Sequence, residues 1–303
     1  MVKLKKINDI YNVDLTELTH SFQDACADKD FKKFVYDLNI KEEILMKYTS
    51  ILEEAYEEYK NCANCKGLST CKNSEKGYRL NPVDGGNIIN FSYDACSKYQ
   101  KEISDNKYKE NLDLFEMNEE IKNASFKNVY KDDKLRLPII KQFKDFIDNY
   151  NNDVKPKGIY LHGSFGSGKT YLIASLFNEL AKKGIRSALV YYPEFLRTLK
   201  ASFQSDYDEK FNYIKKIPLL LFDDIGAENC SNWSRDEVLG PILQYRMENN
   251  IPTFFTSNLT IDELEKSLST TSSGVDKLKA RRIIERIKQL TVQEELISKN
   301  RRN

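Results

Sequence analysis

The sequence predicts an α/β fold built on a parallel sheet, preceded by a smaller, mostly helical part. Three observations carry that prediction. Residues 163–170 read Gly-Ser-Phe-Gly-Ser-Gly-Lys-Thr, a glycine-rich loop of the GxxxxGK[ST] type. Four apolar runs, Gly158–His162, Ser187–Tyr192, Pro218–Phe222 and Thr253–Ser257, alternate with stretches of helical spacing, which is the rhythm of parallel strands joined by crossover helices. The third of these runs ends in two adjacent carboxylates, Asp223 and Asp224.

Composition sets the frame. A chain of 303 residues has room for about two domains. Its 40% hydrophobic content supports real cores, and 31% charged residues give a well-solvated surface. The formal net charge is only +1, so any contact with nucleic acid must come from a local patch. No apolar run approaches the roughly 20 residues that span a bilayer. The basic start, Met1–Ile7, is followed by no long apolar segment, unlike a secretory signal. A cytoplasmic protein without membrane contact is expected. There, six cysteines are thiols or metal ligands rather than disulfides.

Along the chain, residues 1–105 read as helical pieces with a cysteine-rich interruption. Asp14–Phe22 and the longer stretch Ile40–Tyr59 carry apolar residues at helical spacing. Asn81–Gly86 is a turn signal, and Ile88–Tyr93 alternates like a strand. Polar residues from Ser97 onward read as a connection, with a linker over 106–123. The α/β part follows over 124–303, opening with a helix at Leu137–Ile147 that has Pro138 near its start.

The loop at Gly163, Ser164, Phe165, Gly166, Ser167 and Gly168 has the chemistry of a phosphate cradle. Glycines let backbone amides turn inward, and the following helix N-terminus adds positive potential. Lys169 reaches β- and γ-phosphates in such loops, and the Thr170 hydroxyl ligates Mg²⁺. ATP with Mg²⁺ is the expected cofactor. Asp223 would end its strand beside this loop, because ligands bind beyond the C-terminal ends of parallel strands. It is a direct or second-sphere Mg²⁺ anchor. Asp224 stands where many such enzymes put a Glu that polarises the attacking water. Being a methylene shorter, it suits slow, switch-like turnover. Asn258 ends the strand Thr253–Ser257, placed either to bond the γ-phosphate or attacking water, or to cap the next helix.

Lys279–Lys288 is a basic amphipathic helix. Arg282 and Arg286 are four apart and share a face. Either could complete a neighbouring subunit's site as an arginine finger, and a solvated helix face is the plainer alternative. Cys62-x-x-Cys65 with Cys71 and Cys96 offers four thiolates for a tetrahedral Zn²⁺, against ordinary reduced thiols.

Several blocks in order resemble the AAA+ helicase loaders of bacterial replication, the DnaC/DnaI/IstB-like ATPases. They are Tyr192–Lys200, Phe222–Glu228, Arg235–Met247, Pro252–Asn258 and Arg282–Ile287. The resemblance spans about residues 124–303 and is looser before them, resting there on domain order and cysteines. It implies an AAA+ P-loop domain that binds ATP, self-associates and contacts single-stranded DNA, with an N-terminal domain that grips the replicative hexameric helicase and carries zinc. It implies sensor I for Asn258, the arginine finger for Arg286 with Arg282 as a nearby second, and Arg301 and Arg302 as weak candidates for sensor II. It also implies single-strand contacts at Lys200 and Phe203 and at Ser231 and Trp233. Aromatic faces there would stack on bases while cations hold phosphates; core packing is the alternative for both rings. Two other readings stay open: an IstB-type transposition helper acting on duplex DNA, and a nucleotide-binding adaptor that never hydrolyses ATP.

Overall fold

A computed structural model of the chain describes residues 15–129, 134–151, 155–272 and 274–300. Two units divide it, Met1–Asn106 and Lys107–Asn303. The first begins with α1 (Leu15–Ala25), α2 (Lys29–Tyr36), α3 (Glu42–Leu45) and α4 (Thr49–Ala63). Asp28 starts α2 because its carboxylate accepts the amides of Asp30 and Phe31, two donors that the first helical turn leaves unsatisfied. Phe22, Phe31, Val35, Leu45, Leu52 and Tyr56 pack into one core. An antiparallel hairpin follows, β1 (Tyr78–Asp84) and β2 (Ile89–Ala95), with Asp84 opposite Ile89. The turn expected from Asn81 is therefore shorter. Gly85 and Gly86 begin it, and Gly86 takes φ +86°, which favours glycine. Glu58 on α4 ties the hairpin down. Its buried carboxylate accepts the Leu80 amide at 2.6 Å and the Ser74 amide at 3.1 Å. The polar stretch from Ser97 forms a helix, α5 (Ser97–Asn106), where a connection was expected.

The second unit contains β3 (Leu112–Phe115), α6 (Arg136–Asn149), β4 (Gly158–Gly163), α7 (Lys169–Lys182), β5 (Ser187–Tyr191), α8 (Tyr192–Ala201) and α9 (Tyr207–Lys216). It continues with β6 (Leu219–Asp223), α10 (Gly240–Glu248), β7 (Thr253–Ser257) and α11 (Ile261–Ser269). A two-residue pair, β8 (Thr270–Thr271) and β9 (Gly274–Val275), precedes α12 (Lys277–Leu290) and β10 (Thr291–Leu296). Six strands form one sheet in the order β10-β4-β7-β6-β5-β3, and every pairing in it is parallel. The alternation of side chains along a strand feeds two layers. Tyr160, Phe222 and Phe255 pack with α8 to α12. Ile159, Leu161, Leu221 and Phe254 pack with α6, α7 and the segment around Ala124 and Val129.

The four apolar runs expected as strands are β4, β5, β6 and β7. Two further strands of this six-stranded sheet escaped the sequence reading. Residues 106–123 do more than link, since β3 pairs with β5 from Leu112 opposite Ser187 to Phe115 opposite Val190. β10 adds the other edge, alongside β4 from Thr291 opposite Gly158 to Leu296 opposite Gly163.

Arg246 on α10 is fully buried at the opposite end of the sheet from the glycine loop. Its guanidinium donates to the carbonyls of Ile217 (2.7 Å) and Pro252 (2.6 Å) and to Thr253 Oγ1 (2.8 Å). Burial pushes its pKa down to about 9, still high enough for charge at neutral pH. Carbonyl dipoles take the place of a carboxylate partner, and they fix the entry into β6 and β7.

Candidate nucleotide site

β4 delivers the loop and α7 receives it. Gly163, Gly166 and Gly168 hold φ +139°, +66° and +85°, values that side-chain-bearing residues rarely adopt. Lys169 and Thr170 form the first turn of α7, so its amides and dipole point at the C-terminal edge of the sheet. A cavity of about 750 Å³ opens there. Gly166, Ser167, Gly168, Lys169, Thr170, Asp223, Asp224, Thr256 and Asn258 all line it. The structure thus brings the motif residues of β4, β6 and β7 into one site. Ser164 and Phe165 lie on the same loop; Phe165 is exposed.

The carboxylates are held differently. Thr170 and Thr256 hydroxyls both donate to Asp223 Oδ1 at 2.6 Å. Burial raises the Asp223 pKa, opposed by those two bonds and by Lys169, while the Asp224 charge adds to the rise. Asp224 has φ +57°, an uncommon conformation for a residue with a side chain. The Asp224 amide is anchored by Thr256 Oγ1 at 2.9 Å, and its Oδ1 accepts the Asn258 Nδ2 at 2.9 Å. Asn258 Oδ1 in turn accepts Lys169 Nζ at 2.8 Å. One side-chain amide therefore bridges the loop ammonium and the second carboxylate. Lys169 also reaches the carbonyls of Gly163 and Ser164 at 3.0 Å.

Sequence reasoning missed three parts of the site. Thr256 is one, although the polar positions of its strand are a readable signal. The far wall is the second: Met117, Ile121, Asn128 and Val129 line the cavity, and no motif marks them. Arg136, at the start of α6, is the third.

Arg282 and Arg286 are not brought to this cavity. They line a separate groove of about 410 Å³ with Lys279, Asp236, Gly240 and Gln244, and Arg286 donates to the Gly240 carbonyl at 3.3 Å. Arg301 and Arg302 lie outside the described residues. Phe203 and Trp233 do meet, edge to face with centroids 5.4 Å apart. Tyr207 joins Phe203 at 4.9 Å, and Phe211 stacks on Tyr207 at 5.8 Å. These two extend the aromatic strip beyond what was expected: Tyr207 and Phe211, four apart on α9, share a helix face, and Phe203 lies in the turn between α8 and α9. Phe203 is half exposed, and Lys200, in the last turn of α8, is exposed. Trp233 opens a π-helical stretch, Trp233–Leu239, packed at the edge of the core. Ser231 caps that stretch, its hydroxyl accepting the Ser234 amide at 3.1 Å.

Cys62 Sγ accepts from Asn73 Nδ2 at 3.4 Å, and Cys65 Sγ faces the Gly67 carbonyl at 3.5 Å. Among the described residues, no three His, Cys, Asp or Glu side chains converge to hold a metal. Cys62, Cys65, Cys71 and Cys96 are all free thiols, and a Zn²⁺ site made of them is not shown.

Comparison with known proteins agrees with this geometry. The family profile of IstB-like ATP binding proteins matches residues 104–301. The replicative helicase loader DnaI of Bacillus subtilis (strain 168) is 37% identical over 280 residues, covering 91% of this chain and 90% of that protein. The replicative helicase loader DnaC of Escherichia coli (strain K12) is 21% identical over 149 residues, covering 48% of this chain and 60% of that protein. A crystal structure of DnaI superposes with TM-score 0.58 and 46% identity, covering 65% of this chain and all of that one. With an AAA+ P-loop cavity assembled on a parallel sheet and likeness to DnaI along nearly its whole length, the chain belongs to the replicative helicase loaders of the IstB-like ATP-binding family.

Proposed function

We propose that this protein loads the replicative hexameric helicase onto single-stranded DNA, with ATP binding as the assembly signal. The observation that carries the reading is the 37% identity to a helicase loader across 91% of the chain, which includes both units. Within this reading the unit Met1–Asn106 grips the helicase, and the unit Lys107–Asn303 binds nucleotide, associates with its own copies and contacts the strand. A cytoplasmic site of action belongs to the same reading; among the described residues no helix is long and apolar enough to cross a membrane.

ATP fits the cavity in two halves. Loop amides from Gly163 to Thr170 and the Lys169 ammonium suit the phosphates. The apolar wall of Met117, Ile121 and Val129 suits the base. Mg²⁺ would be held by the Thr170 hydroxyl and Asp223, whose two hydroxyl bonds both fall on Oδ1, and would supply charge stabilisation to the phosphates. Asp224 orients the attacking water, and Asn258 links that carboxylate to Lys169. Arg286, with Arg282 beside it, acts on a neighbouring copy's phosphate. Its absence from its own chain's cavity supports a role in trans. Hydrolysis is slow because a short, strained Asp224 does the orienting.

Two experiments test the reading. Mixed with the replicative helicase of the same cell and passed through gel filtration, the protein is expected to co-elute as a complex in the presence of ATP. Separate peaks at micromolar concentration, with duplex DNA binding retained, would favour the transposition-helper alternative. For strand contact, Trp233→Ala is expected to weaken single-stranded DNA binding by about 1–3 kcal/mol, the usual worth of one stacked base, with ATP affinity unchanged. Equal affinity for the strand at fixed salt would remove Trp233 from that role.

A further inference from the structure

A loop with three left-handed glycines is conformationally free by nature, so something outside it must hold its amides in a phosphate-ready arrangement. The structure supplies two supports. The first is the end of the described chain. β10 runs parallel to β4 with Leu296 opposite Gly163, so the residues after it emerge beside the loop. The Ser164 amide donates to the Leu296 carbonyl at 3.3 Å. Ser164 Oγ accepts the Ser298 amide and donates to the Ser298 carbonyl, each at 3.0 Å. The approach is close enough to explain the glycines themselves. A Cβ on Gly166 would stand 1.9 Å from Asn300 Oδ1, and one on Gly163 2.1 Å from the Leu296 carbonyl oxygen.

The second support is Arg136, which is 3% exposed. Its Nη2 donates both to the Ser167 carbonyl and to Ser298 Oγ, and its Nη1 is 3.4 Å from where a Gly168 Cβ would lie. One planar guanidinium thus joins the phosphate loop to the segment after β10. The same side chain lines the nucleotide cavity and brings a fixed positive charge behind the loop.

We propose that Arg136 and the segment Ile297–Asn300 position the phosphate loop, so that seating of this segment and binding of nucleotide strengthen each other. Arg136 and Ser298 are positioning residues that act through Ser164 and Ser167. The inference rests on the ATP-binding reading of the cavity. Because coupling between two equilibria is reciprocal, the factor by which the seated segment tightens nucleotide binding is the factor by which nucleotide stabilises the seated segment. β10 continues directly from α12, so the same latch ties the loop to the helix that carries Arg286.

The test uses the full chain and a fluorescent ATP analogue. Ser298→Pro removes the amide that bonds Ser164, and Arg136→Gln removes the bridging guanidinium. Each is expected to lower affinity for the analogue by about tenfold, within the roughly 5–150-fold range of coupled sites. In the parent chain, saturating ATP analogue is expected to slow amide hydrogen exchange at residues 297–300 by a similar factor. A merely structural role would leave that exchange unmoved. Unchanged affinity in Ser298→Pro, or exchange at 297–300 indifferent to nucleotide, overturns the latch while leaving nucleotide binding intact. If Arg136→Gln does not fold, Ser298→Pro and the exchange measurement decide. A parent chain that binds no analogue, equal in this to Lys169→Ala, overturns the ATP reading and the latch with it.

Discussion

Asp223→Asn is expected to leave the nucleotide-free protein at least as stable as the parent at pH 7 while cutting ATP turnover by about a hundredfold or more. Both hydroxyl bonds to Asp223 fall on Oδ1, and an amide carbonyl would keep them. The substitution removes only a charge that burial disfavours, as the raised pKa of Asp223 records. The sign follows from linkage. With a folded pKa above the ordinary 3.8, the folded state holds the proton more tightly than the unfolded one. Stability is therefore lost as pH rises through that window, and the cost is fully present at neutral pH. The gain from Asn should be largest near pH 7 and should shrink towards pH 4. A gain of about 1 kcal/mol would raise the melting temperature by roughly 2–4 °C in a unit of this size. Turnover falls because an amide anchors Mg²⁺ poorly, and the metal supplies several kcal/mol of charge stabilisation in phosphoryl transfer, roughly 3 kcal/mol for a hundredfold. Thermal melts at two pH values and a phosphate-release assay check both halves. A variant that melts lower at pH 7, or turns over at the parent rate, contradicts the assignment. Stability given up at one buried carboxylate is what a functional site would show and a structural one would not.

Arg246→Met should have the largest effect on folding. Methionine fills much of the volume of arginine but offers no donors. The carbonyls of Ile217 and Pro252 would lose their guanidinium donors in a buried setting, and the Thr253 hydroxyl would keep only its bond to the Ile251 carbonyl. At about 1–3 kcal/mol for each orphaned group, with some relief from no longer burying a charge, the net loss is about 3 kcal/mol. That is a large part of the roughly 5–15 kcal/mol that holds a typical domain, and about 6–12 °C in melting temperature. Denaturant melts of the full chain test it, and a change below about 1 kcal/mol would show that these bonds are replaced by water. Arg246→Lys keeps the charge without the fork, and it should fall between the two because one ammonium cannot reach all three acceptors.

The contrast between these residues explains what could be read in the sequence. Asp223, Lys169 and Thr170 were legible because their chemistry demands a local pattern: glycines before a helix start, and carboxylates at the end of an apolar run. The strands Gly158–Gly163, Leu219–Asp223 and Thr253–Ser257 were legible for a related reason, since a buried parallel strand must be apolar on both faces. Leu112–Phe115 is four residues of alternating character between polar neighbours, as an edge strand can afford to be. Thr291–Leu296 carries Gln293, Glu294 and Glu295 and follows α12 with no breaker. Only its pairing with β4 makes it a strand.

By itself the sequence determined the α/β class, the phosphate loop, the paired carboxylates and the blocks that mark the loader family, because each depends on residue types at short, fixed spacing. Tertiary structure alone decided that Met117, Ile121 and Val129 wall the nucleotide cavity. It also decided that Asn258 bridges Lys169 to Asp224, that Phe203 meets Trp233, and that Arg136 clasps the phosphate loop to Ser298. Those partners are separated along the chain by tens to more than a hundred residues, as with Arg136 and Ser298. Contacts of that kind leave no periodic trace, because they come from how the sheet orders its strands rather than from any neighbouring residue.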